Sequence, residues 1–285
     1  MQLDGRREST NVQDRRRMSG GQVAGVTGIG GLILAGIIYL LTGQAIDPSQ
    51  LVVPTEQTTN TTEFTAEEQE LASFSKKILA GTEDVWTAYF SRNNLGQYTP
   101  PTMVLYTGTT SSGCGTGSAS MGPFYCSADQ CLYIDLSFFS SMKRQLGADG
   151  DFAYAYVIAH EVGHHVENLL GVLGQAHQQM ARMNKTDANR MSVRIELFAD
   201  FLAGVWAKND NDRFRSLEVG DIEEAIHCAQ GIGDNYLQKK SQGYVVEESF
   251  THGTSAQRMR WLKKGLETGD INQGISIFKI NYNEL

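Results

Sequence analysis

The chain has 285 residues, a formal net charge of −8 at pH 7 and 41% hydrophobic residues, an ordinary share for a protein with a buried core. This length suits one sizeable globular domain with additional segments. The acidic balance argues against a nucleic-acid partner, which would need a basic surface. The sequence contains no glycine-rich phosphate loop ahead of a helix and no internal repeat.

An uncharged apolar run within residues 21–42 is just long enough to cross a bilayer as one helix. Arg15, Arg16 and Arg17 stand before it, which favours a cytoplasmic N-terminus with the remainder of the chain exported. A cleaved signal peptide and a buried soluble helix are the alternatives. The polar segment ahead of the run favours a retained membrane anchor. We therefore predict a cytoplasmic tail at 1–20 and a transmembrane anchor at 21–42.

The segments around this anchor differ in composition. Residues 1–20 are polar and rich in arginine, which is typical of a disordered tail. Residues 43–65 contain two prolines and many Thr, Gln and Asn, which predicts a linker between the anchor and a domain. The globular domain is therefore assigned to residues 66–285.

The first part of this domain is predicted to combine helix and strand. Apolar spacing from Glu67 to about Phe90 indicates one or two helices. Met103–Tyr106 is typical of a short strand, and Cys131–Phe138 alternates apolar with polar residues as a half-buried strand does. After these strands the pattern becomes helical, at 151–170, 175–183, 186–208, 218–232 and 254–267. We predict a mostly helical α+β fold with a small sheet, preceded by the transmembrane helix.

The predicted helix at 151–170 carries an H-E-x-x-H pattern formed by His160, Glu161 and His164. Residues four apart lie on one face of a helix, so the two histidines can offer two imidazole nitrogens to one ion. Glu161 lies about a quarter turn away, where it can act as a general base without being a ligand. We estimate a chance occurrence of about one in a hundred, so a zinc site is the preferred interpretation.

A catalytic zinc needs a third protein ligand and an open position. The extended pattern with a third histidine is excluded, because Glu167 stands where that pattern requires glycine. Glu196 and Asp200 are again four apart on one helical face. We predict Glu196 as the third ligand and Asp200 as the acceptor that fixes the tautomer of a ligand histidine. The alternative is a buried salt bridge from these acids to Arg190 or Arg194.

Two further features surround the motif. His252 lies in a tight turn before a helix, where its imidazole could stabilise the oxyanion of a tetrahedral intermediate, and Arg258 could pair with an acid of the site. A turn histidine with a surface arginine is the alternative. Because Cys131–Phe138 immediately precedes the motif helix, we also consider it a substrate-binding edge strand; a plain core strand is the alternative.

Four cysteines, Cys114, Cys126, Cys131 and Cys228, permit three disulfide connectivities if the domain faces an oxidising space. We prefer Cys114 with Cys126, because both lie in a segment rich in Gly and Ser that would otherwise lack support. Cys131 and Cys228 would then remain as the second pair. A cysteine-based zinc site is the alternative, but the chain has no C-x-x-C pair.

The motif segments resemble those of the bacterial neutral zinc metallopeptidase family. The segments are HEVGHH at 160–165, ELFADFLAGVW at 196–206, THGTSAQR at 251–258, GPFYC at 122–126 and IDLSFF at 134–139. The resemblance extends over nearly the whole chain. It implies a zincin-like domain of the gluzincin type, with Zn²⁺ bound by His160, His164 and Glu196 and with Glu161 as the base. It also implies that Cys114 and Cys126 are shared with relatives, whereas Cys131 and Cys228 are particular to this chain.

Together, these features predict a membrane-anchored zinc peptidase that acts on a protein or peptide. Glu161 takes the proton from the attacking water and His252 holds the oxyanion. The expected location is the bacterial inner membrane, with one transmembrane pass, a cytoplasmic N-terminus and the catalytic domain in the periplasm or outside the cell. The alternative is an inactive membrane-tethered scaffold or binding protein with a structural zinc site.

Overall fold

Residues 1–17, 64–146 and 150–285 are described by the computed structural model of the protein. The strands are β1 (Val12–Asp14), β2 (Thr102–Tyr106), β3 (Thr109–Ser112), β4 (Gly115–Ser118), β5 (Phe124–Cys126) and β6 (Cys131–Asp135). The helices are α1 (Ala66–Arg92), α2 (Ser137–Leu146), α3 (Asp151–Leu169), α4 (Val172–Met180), α5 (Lys185–Phe214), α6 (Asp221–Gly231), α7 (Asp234–Gln242) and α8 (Ser255–Thr268). The architecture is a mostly helical α+β fold with a small sheet.

Helix α1 is a single helix with a capping box at its start. The hydroxyl of Thr65 accepts a hydrogen bond from the backbone N–H of Glu68, and the Glu68 carboxylate accepts one from the N–H of Thr65. These bonds satisfy backbone donors that have no partner within the helix. The apolar positions then continue without interruption into the buried aromatic residues Trp86, Tyr89 and Phe90.

Four strands form one sheet in the order β1-β2-β6-β5. Strands β1, β2 and β6 are parallel, and β5 is antiparallel to β6. The main core contains Met103, Leu105, Leu132 and Ile134 from one face of this sheet, together with apolar side chains from helices such as α1, α3 and α5. The other face is covered by a smaller cluster of Val104, Tyr106, Cys126, Cys131 and Tyr133.

The strand predicted at 131–138 is shorter than expected and is not an edge strand. It ends at Asp135, whose carboxylate accepts hydrogen bonds from the backbone N–H groups of Gly108 and Ser137, and α2 begins at Ser137. Strand β6 pairs with β2 on one side and with β5 on the other. Its backbone groups are therefore already paired, and the interpretation of this strand as a substrate-binding edge is wrong.

Residues 1–17 are part of the folded domain rather than a disordered tail. Strand β1 pairs with β2, and two arginines of the segment contact acids on the helices. Arg6 lies 2.8 Å from Asp210 and stacks over the ring of Phe214 at 3.8 Å. Arg7 lies 2.8 Å from Glu83. Two of the charges that suggested a solvated tail thus pair with buried carboxylates of the domain.

The expected membrane topology requires correction. The predicted anchor at 21–42 lies outside the described residues, and no helix in 1–17, 64–146 or 150–285 is long and apolar enough to cross a membrane. Strand β1 precedes the predicted anchor and pairs with β2, which follows it. A single crossing between these strands would place them on opposite sides of the bilayer, where they cannot pair. The predicted location, a single-pass inner-membrane protein with a cytoplasmic N-terminus, is therefore wrong.

The preferred disulfide is confirmed, because Cys114 and Cys126 are bonded to each other. The bond ties the turn between β3 and β4 to the last residue of β5. Cys131 and Cys228 are both free and buried. Cys131 belongs to the small cluster on one face of the sheet, whereas Cys228 belongs to the main core, so the expected second pair is wrong.

Helices α3 and α5 cross closely at Gly163, which lies inside the H-E-x-x-H motif. A Cβ atom added at Gly163 would lie 2.9 Å from the carbonyl oxygen of Ala199 and 3.1 Å from its Cα. Only a residue without a side chain permits this backbone contact. Helix α5 crosses α8 in the same way, because Cβ atoms at Gly204 or Gly265 would meet the facing backbone within 3 Å.

We expect the substitution Gly163→Ala to lower the free energy of unfolding by about 1–3 kcal/mol, because the added methyl group forces α3 away from α5. Urea unfolding of the two proteins measures this difference. Gly174→Ala on α4 is the matched control, since an added Cβ meets nothing within 4 Å there. That variant should be more stable than the wild type by about 0.5–1 kcal/mol. Equal stability of wild type and Gly163→Ala would contradict the close crossing.

Candidate metal centre

The motif helix α3 begins at Asp151, directly after Gly150, whose φ of 113° is accessible mainly to glycine. No side chain of its own segment caps the helix. The carboxylate of Glu224 on α6 instead accepts a hydrogen bond from the backbone N–H of Phe152, at 3.2 Å. A neighbouring helix therefore supplies this hydrogen bond, which also ties the start of α3 to α6.

The crossing of α3 and α5 brings the two motif histidines to Glu196. The Nε2 atom of His160 lies 3.2 Å from one carboxylate oxygen of Glu196, and the Nε2 atom of His164 lies 3.6 Å from the other. One donor atom from each residue lies within 4.8 Å of the other two. Ligands of a tetrahedral zinc with bonds of about 2.0–2.1 Å are separated by roughly 3.3 Å. Two imidazoles and one carboxylate at these distances fit zinc.

A buried hydrogen-bond network contacts His160 at the ring nitrogen that does not face Glu196. Its Nδ1 atom lies 2.8 Å from Asp200, whose carboxylate also accepts a hydrogen bond from the hydroxyl of Tyr156 at 2.6 Å. Arg258 donates from Nε and from an Nη atom to the two oxygens of Asp200, both at 2.8 Å. Because Asp200 accepts at Nδ1, the lone pair of His160 is left on Nε2, which faces Glu196.

The second motif histidine has a carboxylate partner that the spacing analysis did not identify. The Nδ1 atom of His164 lies 2.9 Å from a carboxylate oxygen of Glu167, which is three residues later on the same helix and fully buried. Residues at this spacing lie on one face of a helix, so the sequence did contain the signal. Each candidate ligand histidine therefore has a carboxylate at Nδ1 and faces Glu196 with Nε2.

These carboxylates control the charge of the imidazoles in the metal-free protein. Burial alone would lower the pKa of His160, but the carboxylates of Asp200 and Glu196 raise it to about 9. Burial would also lower the pKa of His164, yet Glu196 and Glu167 raise it to about 10. A protonated imidazole does not bind a metal ion. Zinc must therefore displace these protons, and its affinity should increase as the pH rises toward these values.

Glu161 occupies a different position from the other acids of the site. It is buried with 7% of its surface exposed, and burial raises the pKa of its carboxyl group. Among the described residues its carboxyl group forms no hydrogen bond and no salt bridge. The group of three candidate ligands does not include it. Glu161 is therefore next to the candidate ligands with both oxygens available for a proton.

His252 contacts Asp234, an acid that no sequence pattern links to it. The Nδ1 atom of His252 lies 3.2 Å from one oxygen of Asp234, the first residue of α7. The other oxygen accepts hydrogen bonds from the backbone N–H groups of Thr251, His252 and Gly253. Burial would lower the pKa of His252, but the carboxylates of Glu196 and Asp234 raise it. About a third of its side chain, 35%, is exposed.

The alternative salt bridges from Glu196 or Asp200 to Arg190 or Arg194 are absent from the described residues. Arg194 donates to the backbone carbonyls of Ile277 and Ile280 rather than to Glu196 or Asp200. Arg190 lies 3.8 Å from Asp187. The buried salt bridge of Asp200 is formed instead by Arg258, which is only 3% exposed.

The histidine beside the motif has a separate role. The Nε2–H of His165 donates to the carbonyl of Thr99 at 2.7 Å, because a carbonyl can only accept. Its Nδ1 atom then accepts from the hydroxyl of Tyr125 on β5, at 2.9 Å. Both ring nitrogens are thus occupied away from Glu196. His165 ties α3 to strand β5 and to the segment before β2.

Comparison with known proteins agrees with this geometry. Residues 1–277 match the family described as "Putative neutral zinc metallopeptidase". The chain belongs to this family. The matched residues include His160, His164, Glu196 and His252, and membership confirms the resemblance inferred from the motif segments. A zinc metallopeptidase family implies zinc as the metal and a protein or peptide as the substrate.

Relatives in two groups of bacteria share much of the sequence. "Uncharacterized protein YpfJ" of Escherichia coli strain K12 is 48% identical over 279 residues, which are 95% of this chain and 96% of that protein. "Uncharacterized protein Rv2575" of Mycobacterium tuberculosis strain H37Rv is 43% identical over 185 residues, 61% of each chain. No solved structure shows significant similarity to the chain.

We expect Glu196→Ala to weaken zinc binding, because the substitution removes a donor atom. The loss should exceed the 10- to 100-fold that is typical when a residue that hydrogen-bonds to a ligand is replaced. Competition with a chromophoric chelator measures the dissociation constant. Glu70→Ala replaces an exposed glutamate on α1 and should leave zinc affinity unchanged. An unaltered metal stoichiometry and affinity in Glu196→Ala would exclude Glu196 as a ligand.

Proposed function

We propose that the protein is a zinc-dependent peptidase that hydrolyses peptide bonds, with His160, His164 and Glu196 as the metal ligands and Glu161 as the general base. The observation that carries this proposal is the buried carboxyl group of Glu161 beside three donor atoms that converge within 4.8 Å. When bound, zinc supplies Lewis acidity, which allows a water molecule to lose a proton near neutral pH.

Glu161 takes the proton from the attacking water. Its carboxyl group forms no hydrogen bond among the described residues, so no protein donor competes with the water for its oxygens. Burial raises the pKa of Glu161, which makes it a stronger base than an exposed glutamate. The same group then passes the proton to the departing amine as the peptide bond breaks, so that Glu161 ends the cycle as it began.

His252 donates a hydrogen bond to the oxyanion that forms when water attacks the scissile carbonyl. Asp234 accepts a hydrogen bond from Nδ1–H, so Nε2–H of His252 is a donor when the ring is protonated. Burial would lower the pKa of His252, but the carboxylates of Glu196 and Asp234 raise it and so favour this protonated state. Three backbone N–H groups fix the Asp234 carboxylate, so the histidine is oriented before substrate binds. A donor held in this way stabilises developing charge without a reorganisation cost at the moment of reaction.

We also propose the free edge of β5 as the place where substrate binds in extended form. Strand β5 lies at one end of the four-stranded sheet and, among the described strands, pairs with β6 alone. Tyr125 of this strand contacts His165 of α3 directly, so the edge adjoins the motif helix. An added peptide strand would use the unpaired backbone groups of β5 for its hydrogen bonds.

The variant Glu161→Gln tests the general base. We expect it to cleave an unfolded protein substrate about 10²- to 10⁴-fold more slowly, because an amide does not take the proton from water. Its zinc content should equal that of the wild type, since Glu161 is not a ligand. Cleavage by the full chain with zinc, its loss on adding a chelator, and metal content are measured together.

Glu223→Gln, at an exposed position on α6, is the control for the change in charge and should cleave normally. Loss of zinc from Glu161→Gln would contradict the assigned roles. A wild-type protein that binds zinc but cleaves no unfolded protein or peptide would instead favour a structural zinc site in a scaffold or binding protein.

The variant Asp234→Asn tests the role of His252 through the pH profile. His252 is fully protonated below its pKa, and Asp234 contributes to raising that pKa. Removing this charge should lower the pKa, so the alkaline limb of kcat/KM should move to lower pH while the acid limb stays in place. Asp187→Asn makes the same change in charge on the exposed first turn of α5 and should leave both limbs unchanged. An unmoved alkaline limb in Asp234→Asn would exclude this role.

A further inference from the structure

Glu167 is a fully buried acid. Among the described residues, its carboxylate forms one hydrogen bond, with a candidate metal ligand. One of its carboxylate oxygens lies 2.9 Å from Nδ1 of His164. The other oxygen, Oε1, is buried and has no hydrogen-bond partner. A buried carboxylate with an unpaired oxygen costs free energy of folding, because water no longer solvates it.

This hydrogen bond does not hold the fold together. Glu167 and His164 are one turn apart on the same helix, so the contact joins α3 to no other element. In the part of the chain that the structure describes, no lysine or arginine forms an ion pair with Glu167. A buried acid with a structural role would instead cross-link two elements, as Asp200 does through Arg258, Tyr156 and His160.

The contact does define the state of the His164 ring. A neutral imidazole carries its proton on one nitrogen and has its lone pair on the other. With Glu167 accepting at Nδ1, the proton belongs on that atom and the lone pair on Nε2, which lies 3.6 Å from Glu196. Glu167 is also on the far side of the ring from Glu196, so it is not a fourth ligand.

We propose that Glu167 is a positioning residue of the metal centre, which fixes the orientation and tautomer of His164 for zinc. The inference rests on the proposed zinc site and extends it: both ligand histidines are oriented by a buried carboxylate, but by different means. Asp200 reaches His160 from α5 and is neutralised by Arg258. Glu167 reaches His164 from within α3, and the bound cation is the charge that offsets its own.

Two variants of the full chain separate this role from simple burial. Glu167→Met has a similar volume and no acceptor, so zinc affinity should fall by about 10- to 100-fold. Glu167→Gln retains an acceptor oxygen, and the loss should stay below about tenfold. The dissociation constants are measured by chelator competition. The visible bands of the cobalt(II)-substituted Glu167→Met protein should also shift, because a ring that is free to reorient changes the ligand field.

The stability of the metal-free protein provides a second measurement, because a positioning residue should affect zinc affinity much more than stability. In Glu167→Met the carboxylate of Glu196 remains beside His164 and the buried oxygen without a partner is removed, so the metal-free protein should unfold at nearly the same urea concentration as the wild type. A residue that merely supports the fold would give the reverse pattern, in which stability falls and zinc affinity is unchanged. That reverse pattern would overturn the proposal.

Tyr125→Phe is the matched control. It removes a hydrogen bond to His165, which directly follows His164 on α3. His165 is not among the candidate ligands, so zinc affinity should be unchanged. An equal loss of affinity in Glu167→Gln and Glu167→Met would exclude the acceptor role. Unchanged affinity in Glu167→Met overturns this inference alone, whereas a wild-type protein that does not bind zinc overturns the proposed function.

Discussion

At the crossing of α3 and α5, the absence of a side chain on Gly163 lets the two backbones meet, and this contact sets the distance between the imidazoles and Glu196. The candidate ligands come from two helices, so the separation of the histidines from Glu196 depends on how closely those helices pack. A displacement of even one ångström would alter both distances from the imidazoles to Glu196. The second close crossing, between α5 and α8, positions Arg258 against Asp200 in the same manner.

The centre contains more carboxylates than cationic side chains, and their arrangement gives each a distinct environment. Asp200 is saturated by Arg258, Tyr156 and His160, and Arg258 together with the imidazole keeps its pKa low. Burial raises the pKa of Glu167 to about 7, and it also raises the pKa of Glu161. Environment, rather than residue type, thus distinguishes Asp200 and Glu167, which accept hydrogen bonds from the candidate ligand histidines, from Glu161, whose carboxyl group forms no hydrogen bond among the described residues.

Helical spacing explains how much of the site was visible in the sequence. The pairs His160 with His164 and Glu196 with Asp200 are each four residues apart, so a linear pattern indicates a shared face. Glu167 follows the same rule, because it is three residues after His164 on the same helix. Asp234 lies 18 residues from His252, and only the tertiary packing of α7 against the following turn brings them together.

Local sequence patterns gave wrong predictions for two segments of the fold. Alternation in 131–138 suggested a half-buried strand, yet Tyr133 and Leu132 lie in separate clusters on the two faces of the sheet, so both faces are covered. Arginine-rich composition suggested a solvated tail, because pairing with distant acids such as Asp210 leaves no local pattern. In both segments, long-range contacts overrode the local signal.

One surface contact bears on how the chain is connected. Arg16 and Arg17 stack on the ring of Phe64, at 3.8 and 4.6 Å from its centroid. The end of the first described segment and the start of the second therefore lie side by side. Because Arg16 also donates a hydrogen bond to the backbone carbonyl of Glu68, this contact holds strand β1 and the start of helix α1 together.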